Sequence, residues 1–354
     1  MSSLTERLRE RIEREGPVSF ADFMRAALYD PEDGYYARRS AIGDGGDFVT
    51  SPTVSPAFAG AVARMFAVDA AAWEDEVELV EVASGSGRFL EDFAGWIERL
   101  DPELRDRLRL TAVEAAAPRR EELAARSISP APRVLASANE LTERSVRGWI
   151  FSNELYDALP TFRVVGSESG PRELRVGVGD RRFVWVEAAA SPELARYLAE
   201  AGVTLAPGQK GEVCLEAPAL HRRLARSLDS GRLVAFDYGH PARILYHPFA
   251  RPEGTLAVHS LGRRGGDPLD EPGEVDLTAH VNWDALMAAG EAEGLHTDRI
   301  QRQGMVLSEA GVFDFARNEA EKWRIFRLVD PAGMGEEISA LFQSRGMAQG
   351  ATAL

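Results

Sequence analysis

The stretch that most restricts how this chain can fold covers residues 79–90 and reads LVEVASGSGRFL. Its apolar beginning is typical of a buried parallel strand, and its end is typical of the first turn of a helix. Gly85 and Gly87 carry no Cβ, so the backbone there can approach a ligand closely or adopt a positive φ. The positive end of the helix would face that ligand. The stretch predicts a nucleotide or nucleoside site, although the same turn could also bind nothing.

Strand-like and helix-like runs alternate on both sides of this turn. Such alternation implies a parallel sheet with right-handed crossover connections. We therefore predict a doubly wound, mostly parallel α/β fold. The strand-like runs are 76–83, 109–113, 134–136, 148–151 and 232–238, and the clearest helix-like run is 88–100.

The rest of the chain adds two kinds of decoration to this core. Residues 1–72 are expected to form an N-terminal helical cap and a glycine-rich loop. Short alternating runs with turns predict an inserted β-hairpin and helix over 166–207. The core then comprises 73–165 and 208–354, with one more strand around 304–307 and a mostly helical tail from Ser308.

Composition limits the partners and the compartment. The 41 Lys and Arg against 56 Asp and Glu give a net charge of −15, which disfavours broad contact with nucleic acid or an anionic membrane. The single cysteine, Cys214, excludes an intrachain disulfide and a cysteine-based metal cluster. No apolar run is long enough to span a membrane, and the first fifteen residues lack an apolar signal core. We expect a soluble, cytoplasmic protein.

The spacing within the turn favours one nucleoside ligand over others. A dinucleotide site would have a third glycine where this chain has Leu90. The tighter spacing of Ala83, Gly85 and Gly87 after an acidic strand end is instead the pattern of S-adenosylmethionine (SAM) methyltransferases. Glu114, at the end of the next strand, is then expected to accept hydrogen bonds from the two ribose hydroxyls.

A second polar segment follows the strand at 148–151. It reads SNELYDALP over 152–160, and ligands of such sheets bind at the carboxyl ends of the strands. Asn153, Glu154 and Asp157 should therefore stand beside the glycine turn. In the alternative interpretation, Asn153 and Asp157 cap the following helix and Glu154 is structural.

Motifs spread along the chain resemble those of one family. They are GYY (34–36), GDFVTSP (46–52), EVASGSG (81–87), NELYDALP (153–160), DYG (237–239), GTL (254–256), DPL (267–269), PGEVDLTAHV (272–281) and MG (334–335). The chain resembles the MidA-like family of class I SAM-dependent methyltransferases. That family includes the mitochondrial complex I assembly-factor protein arginine methyltransferase and bacterial relatives. The resemblance covers roughly residues 16–342.

The resemblance implies a Rossmann-like SAM methyltransferase core, SAM as cofactor and an arginine side chain of a protein as methyl acceptor. Glu154 and Asp157 are the expected catalytic residues, because two carboxylates can grip the non-reacting nitrogens of a guanidinium. His259 and His280 are weaker candidates as proton acceptors, and no metal is expected. The expected cofactor-binding residues are Thr50, Ser51, Glu81, Ala83, Ser84, Gly85, Gly87, Glu114 and Asn153.

The chain also departs from the family pattern. Ala83 replaces a glycine, which is tolerated if the residue has a negative φ. Thr53 replaces a glutamate, and His259 and Gly262 stand near the positions of a tyrosine and a histidine. Two alternatives therefore stay open: a methyltransferase acting on oxygen or nitrogen of a small molecule, and a non-catalytic SAM-binding assembly protein. The oligomeric state is not indicated by the sequence.

Overall fold

The computed structural model describes residues 3–38, 50–180, 182–260 and 263–347. Contacts gather the chain into two compact units. Unit 1 comprises Met1–Ala41, Tyr156–Ala219 and Gly239–Leu286, and unit 2 comprises Ile42–Leu155, Leu220–Tyr238 and Met287–Leu354. The three-part division expected from the sequence stays a prediction.

The described strands are numbered in chain order. They are β1 Val18–Ser19, β2 Val77–Val82, β3 Leu108–Val113, β4 Arg133–Leu135, β5 Val146–Asn153, β6 Phe162–Ser167, β7 Gly170–Val178, β8 Phe183–Ala189, β9 Lys210–Val213, β10 Leu228–His240, β11 Ala257–Ser260, β12 Arg263–Arg264, β13 Asp276–Thr278, β14 Val281–Asn282, β15 His296–Arg302 and β16 Ile338–Arg345.

The described α-helices are numbered in the same way, and short 3-10 turns lie at Ala138–Glu140 and Val312–Phe315. The helices are α1 Leu4–Glu15, α2 Phe20–Tyr29, α3 Tyr35–Arg38, α4 Ser51–Val54, α5 Ala57–Ala70, α6 Arg88–Leu100, α7 Pro102–Arg107, α8 Ala117–Ala124, α9 Pro192–Glu200, α10 Glu216–Ser227, α11 Ala242–Leu245, α12 Trp283–Ala292, α13 Gln303–Glu309, α14 Glu319–Val329 and α15 Met334–Glu337.

Unit 2 is built on a twisted sheet with the order β15-β16-β10-β5-β2-β3-β4. The strands from β10 to β4 pair in parallel, and β16 pairs antiparallel with both β10 and β15. The predicted doubly wound, mostly parallel α/β fold is therefore confirmed. The direction in which the strand order advances reverses between β2 and β5, and such a reversal opens a crevice at the carboxyl ends of the two strands.

Alternation along the strands buries both faces of this sheet. Leu79 of β2 faces a core that includes the helices α5 and α6, while its neighbour Val80 faces a second core formed with α10. Phe89 at the start of α6 stacks on Phe151 of β5, with ring centroids 4.5 Å apart. The first core thus fixes the helix that follows the glycine turn against the strand that carries Asn153.

One expectation for the C-terminal part was wrong, because residues 304–307 lie in helix α13 rather than in a strand. The tail from Ser308 is mostly helical, as expected, although it ends in strand β16. A short apolar run has no readable period, so packing decides its conformation. A Cβ at Gly304 would lie 2.8 Å from the Val329 carbonyl oxygen, which shows how closely α13 approaches the end of α14. Strand β16 forms only because β10 and β15 supply partners on both sides.

Unit 1 contains more sheet than the expected inserted hairpin. Strands β6, β7 and β8 form an antiparallel meander, which β1 extends beside β7 and β9 extends beside β6. The expectation of a simple hairpin is thus corrected, because its edges recruit strands distant in sequence. The helix predicted within this insertion is present as α9. Its Leu194 and Leu198 pack with Val164 of β6 in the core of this unit.

Candidate functional site

The site in unit 2 lies where the strand order reverses. Val82 of β2 pairs with Ser152 of β5, so the two strands end side by side. The glycine turn follows β2, and Glu154 follows β5. Two segments about seventy residues apart in the chain therefore meet at one edge of the sheet, where ligands of doubly wound folds bind.

The glycine turn is tightly hydrogen-bonded and strained. The N–H groups of Ala83 and Ser84 donate to the Val113 carbonyl oxygen, at 2.8 and 3.2 Å. Ala83 has φ 62°, so the condition of a negative φ, under which an alanine would be tolerated here, is not met. A non-glycine residue in this left-handed region carries a conformational cost of roughly 1–3 kcal/mol. The turn therefore imposes the backbone of a glycine on an alanine.

The two glycines of the turn have different surroundings, although both have positive φ. A Cβ added to Gly85, where φ is 53°, would meet no atom within 4 Å. A Cβ on Gly87, where φ is 77°, would lie 2.9 Å from Leu123 Cγ. Gly85 thus faces open space that a ligand can use, while Gly87 is required for packing at the start of α6.

Two buried carboxylates flank the turn. Glu81 is 5% exposed, and its Oε2 has no hydrogen-bond partner among the described residues. Glu114 accepts the N–H of Gly85 at Oε2 and the N–H of Ala116 at Oε1, each at 2.8 Å. Burial, and then the charge of Glu114, raise the pKa of Glu81 well above its ordinary value. A cationic ligand group would offset this rise by favouring the ionised carboxylate.

Glu114 has a structural role that the sequence did not predict. Burial raises its pKa, and the two backbone N–H groups partly offset that rise. These two bonds show that Glu114 shapes the turn around Gly85. Each carboxylate oxygen retains a second lone pair, so the ribose contact stays a prediction. Ser84 is likewise engaged inside the turn, because its hydroxyl donates to the Glu81 carbonyl oxygen at 2.9 Å.

The backbone after β5 is held in an unusual conformation. Glu154 has φ 51°, and its N–H donates to the Phe236 carbonyl oxygen at 2.8 Å. The N–H of Leu155 donates to Asp237 Oδ2 at 3.0 Å. Asp237 is fully buried near the end of β10 and shapes this turn. The neighbouring strand thus fixes the direction in which Glu154 leaves the backbone.

The carboxyl group of Glu154 is also held from one side. Its Oε1 accepts the N–H of Ser51 at 3.1 Å and the amide N–H of Asn153 at 2.9 Å. Among the described residues both hydrogen bonds go to Oε1, so Oε2 is available to another donor. Burial raises the pKa of Glu154 to about 7, against the lowering effect of these two bonds. The side-chain oxygen of Asn153 is buried and has no hydrogen-bond partner in the described structure.

Two residues expected to bind cofactor lie beside Glu154: Ser51 begins the short helix α4, and Thr50 is the N-cap residue before it. The Thr50 N–H donates to the Thr53 hydroxyl at 2.9 Å, so Thr53 closes this turn in place of the family's glutamate. The Ser51 hydroxyl donates to Gln303 Oε1 at 2.9 Å. Sequence reasoning missed Gln303, because no local pattern links it to a segment some 250 residues away. Most of the glycine-rich loop, residues 43–49, lies outside the described residues.

Asp157 belongs to unit 1 and is described with it. The residue is buried, and its carbonyl oxygen accepts the N–H of Ala279 at 2.9 Å. The Tyr36 hydroxyl donates to Asp276 at 3.0 Å. Burial raises the pKa of Tyr36 well above its ordinary value, and the charges of Asp276 and Asp157 add to this. A joint role of Asp157 and Glu154 stays a prediction.

The two candidate histidines also lie in unit 1. The Nε2 atom of His259 is 3.2 Å from the Thr278 hydroxyl oxygen, and the N–H of His280 donates to the Thr255 hydroxyl at 3.0 Å. Their role as proton acceptors stays a prediction, and Gly262 lies outside the described residues. In the described ranges no group of three or more His, Cys, Asp or Glu side chains is arranged to hold a metal ion. No described helix combines the length and apolarity that crossing a membrane requires.

Comparison with known sequences matches a family model over residues 61–301, more than half of the chain. The model is described as "Putative S-adenosyl-L-methionine-dependent methyltransferase". The protein arginine methyltransferase NDUFAF7, mitochondrial, of Danio rerio is 28% identical, over 80% of this chain and 71% of its own length. The Homo sapiens protein of the same name is 23% identical, over 96% of this chain and 82% of its own length.

Comparison with solved structures agrees with these matches. A superfamily member from Burkholderia thailandensis, bound to S-adenosyl-homocysteine, superposes with a TM-score of 0.86 at 30% identity. The match covers 99% of this chain and 94% of that one. A native crystal structure from the same organism gives the same TM-score at 28% identity.

Proposed function

We propose, from the premise that this chain belongs to the family of SAM-dependent methyltransferases, that it methylates arginine side chains of a protein substrate. The observation that carries the proposal is Glu154. Its carboxyl group is held at the strand-order reversal by Ser51 and Asn153, with one oxygen available. The relatives named as protein arginine methyltransferases support this choice of substrate.

The residues around the turn fit SAM. The cofactor carries a cationic amine and a sulfonium, and Glu81 presents a buried carboxylate oxygen without a hydrogen-bond partner in the described structure. The open space in front of Gly85 gives room for a ligand close to the backbone. Glu81, Gly85 and Glu114 would hold the cofactor, together with Asn153. When bound, SAM supplies an electrophilic methyl group.

Glu154 would orient the acceptor. A guanidinium donates N–H groups in a planar fork, and a carboxylate accepts them in matching geometry. With Oε1 already bonded to Ser51 and Asn153, Glu154 Oε2 would accept an N–H of a non-reacting nitrogen, which draws positive charge away from the attacking nitrogen. This orientation is chiefly a proximity effect. Asp157 is kept as the second carboxylate of the proposal.

Glu154 also provides a place for the proton that the reaction releases. A cationic guanidinium stays cationic after methylation, so one N–H proton must leave. A carboxyl group with a pKa of about 7 is matched to accept a proton near neutral pH. The ionised form must also be present to bind the guanidinium. We therefore expect kcat/KM to rise with pH through about 7.

A non-catalytic SAM-binding assembly protein is the second candidate, and the strained Ala83 favours it, because a distorted turn can weaken the cofactor site. A small-molecule methyltransferase is the third candidate, and no feature of the site argues for it over a protein substrate.

The proposal places the protein in the cytoplasm, where its single cysteine would stay reduced.

One assay separates these candidates. The protein is incubated with radiolabelled-methyl SAM and a cell lysate, with and without prior proteinase treatment, and Glu154→Gln serves as the control. We expect the label to be incorporated into protein, and this incorporation should be lost when the lysate is first treated with proteinase. Acid hydrolysis of the labelled protein should release labelled methylarginine. Label that survives proteinase treatment would indicate a small-molecule acceptor. SAM binding by calorimetry without any transfer would indicate the assembly protein.

A further inference from the structure

We propose that Gln303 is a positioning residue, which holds the carboxyl group of Glu154 in place through Ser51. The inference rests on the proposed function for its catalytic meaning. Gln303 lies at the first position of α13, far from Glu154 in sequence, and bonds to Ser51 at the start of α4. Its contribution can be separated from that of Glu154 because it has no direct hydrogen bond to the carboxylate among the described residues.

The connection is a continuous chain of hydrogen bonds. Gln303 Nε2 donates to the Leu328 carbonyl oxygen at 3.0 Å, and Gln303 Oε1 accepts the Ser51 hydroxyl at 2.9 Å. Ser51 in turn donates its backbone N–H to Glu154 Oε1 at 3.1 Å. Both Gln303 and Ser51 are fully buried, so solvent does not compete for these bonds. A displacement at Gln303 therefore reaches the Glu154 carboxyl group in two steps.

Helix α4 needs such an external support. It contains only four residues, Ser51–Val54, and a helix of one turn is not stable by itself. Thr50 and Thr53 close the turn locally but do not fix where it lies. Gln303, by contrast, begins a helix that follows strand β15 directly and is bonded to the end of α14. It therefore transfers the position of the sheet and of α14 to Ser51.

The other contacts of Glu154 leave this task to Ser51. Asp237 and Phe236 fix the backbone of the turn, and Asn153, the adjacent residue, can move with it. The Ser51 N–H is thus the bond that ties the carboxyl group to a different part of unit 2. Without it, the carboxyl group could rotate away from the acceptor while the backbone stayed in place.

The test replaces Gln303 with methionine, an unbranched side chain of similar length without hydrogen-bonding amide atoms. Without the bond from Gln303, Ser51 should shift and its N–H should lose the bond to the Glu154 carboxyl group. Exchange of the Ser51 amide proton should then accelerate about tenfold or more, as expected for loss of a bond to a charged group. The pKa of Glu154, followed by carbon NMR of its carboxyl group, should rise by about one unit for the same reason. Methyl transfer should fall in kcat, with SAM affinity unchanged within about twofold.

Gln343→Met is the matched control. Gln343 is equally buried in the same unit, but its side chain bonds to His221, Met287 and Thr297. Both variants should lose stability, and only Gln303→Met should change the Ser51 amide and the Glu154 carboxyl group. Equal effects of the two substitutions on these signals, or no effect of Gln303→Met, would overturn the proposal.

Ser51→Ala keeps the test decisive if Gln303→Met does not fold. This substitution removes the hydroxyl that bonds to Gln303 and keeps the N–H that bonds to Glu154. It should move the same two signals in the same direction, and an unchanged Glu154 pKa would contradict the proposal. The NMR and exchange signals need no methyl acceptor. A protein that shows them without methylating arginine would retain the positioning role and refute the proposed function.

Discussion

Two turns at the same edge of the sheet each force a non-glycine residue into a left-handed backbone conformation. The turn after β2 does so at Ala83, with φ 62°, and the turn after β5 does so at Glu154, with φ 51°. In both cases the N–H of the strained residue is bonded to a carbonyl oxygen of a neighbouring strand, Val113 or Phe236. The two turns therefore share a left-handed residue and the same kind of hydrogen bond that holds it.

The side chains make the difference between the turns. The Ala83 methyl group makes no hydrogen bond, and glycine would satisfy the same backbone geometry at lower cost. The Glu154 side chain carries a carboxyl group to which the proposed function is assigned, and glycine there would remove it. The strained backbone at Ala83 therefore supports no side-chain contact that the site needs. The strained backbone at Glu154 carries the side chain on which the proposed function depends. Backbone outliers acquire functional meaning only from what the side chain then contacts.

The largest expected effect concerns Glu154. Glu154→Gln keeps an oxygen that can accept the Ser51 and Asn153 N–H groups but removes the charge that would hold a guanidinium. We expect methyl transfer to fall by roughly two orders of magnitude or more, as for other lost electrostatic stabilisers. SAM affinity by calorimetry should stay within about twofold of the wild type. Unchanged turnover would remove Glu154 from the catalytic role.

The next effect separates the two glycines beside Ala83. Gly85→Val places a β-branched residue at φ 53° and fills the open space in front of the turn, so SAM affinity should fall about tenfold or more while the fold survives. Gly87→Ala is the matched comparison. Its methyl group would press on Leu123, so it should lower the free energy of unfolding by about 1–3 kcal/mol. Normal SAM binding by Gly85→Val would rule out the turn as the cofactor site.

A smaller effect tests the comparison of the two strained residues directly. Ala83→Gly should raise the free energy of unfolding by about 1 kcal/mol, because glycine adopts this backbone without the cost that alanine bears. Denaturant unfolding measures it, and methyl transfer should be retained. Glu154→Gly relieves the same backbone cost and should abolish transfer. A destabilised Ala83→Gly would show that the methyl group contributes packing that outweighs the strain.

The smallest expected effect is the release of a proton by Glu81 when SAM binds. Its pKa is raised in the protein without cofactor, and a bound ammonium group would lower it by favouring the ionised carboxylate. SAM binding should therefore release up to one proton and strengthen as pH rises through the interval between the two pKa values. Calorimetry in buffers of different ionisation enthalpy measures the release. Glu81→Gln should abolish it, and proton uptake on binding would contradict this assignment.

The sequence by itself determined the local secondary-structure elements that carry the site. The helix predicted over 88–100 is present with those bounds as α6, because its apolar residues recur at helical spacing and the glycine turn precedes it. The alternation of strands and helices indicated the parallel sheet, and the sheet type in turn indicated which strand ends would meet. Family motifs then pointed to SAM, in agreement with the family to which the chain belongs.

The tertiary structure alone decided which hydrogen bonds connect those elements. The N–H of Ala83, the residue with positive φ, bonds to the carbonyl oxygen of Val113 on the next strand, a partner distant in sequence. The bonds that join Glu154 to Ser51 and Ser51 to Gln303 span 103 and 252 residues. Strand β16 exists because β10 and β15 leave a place for it. Local periodicity specifies elements, whereas contacts between distant segments, set by packing and burial, position the groups of the site.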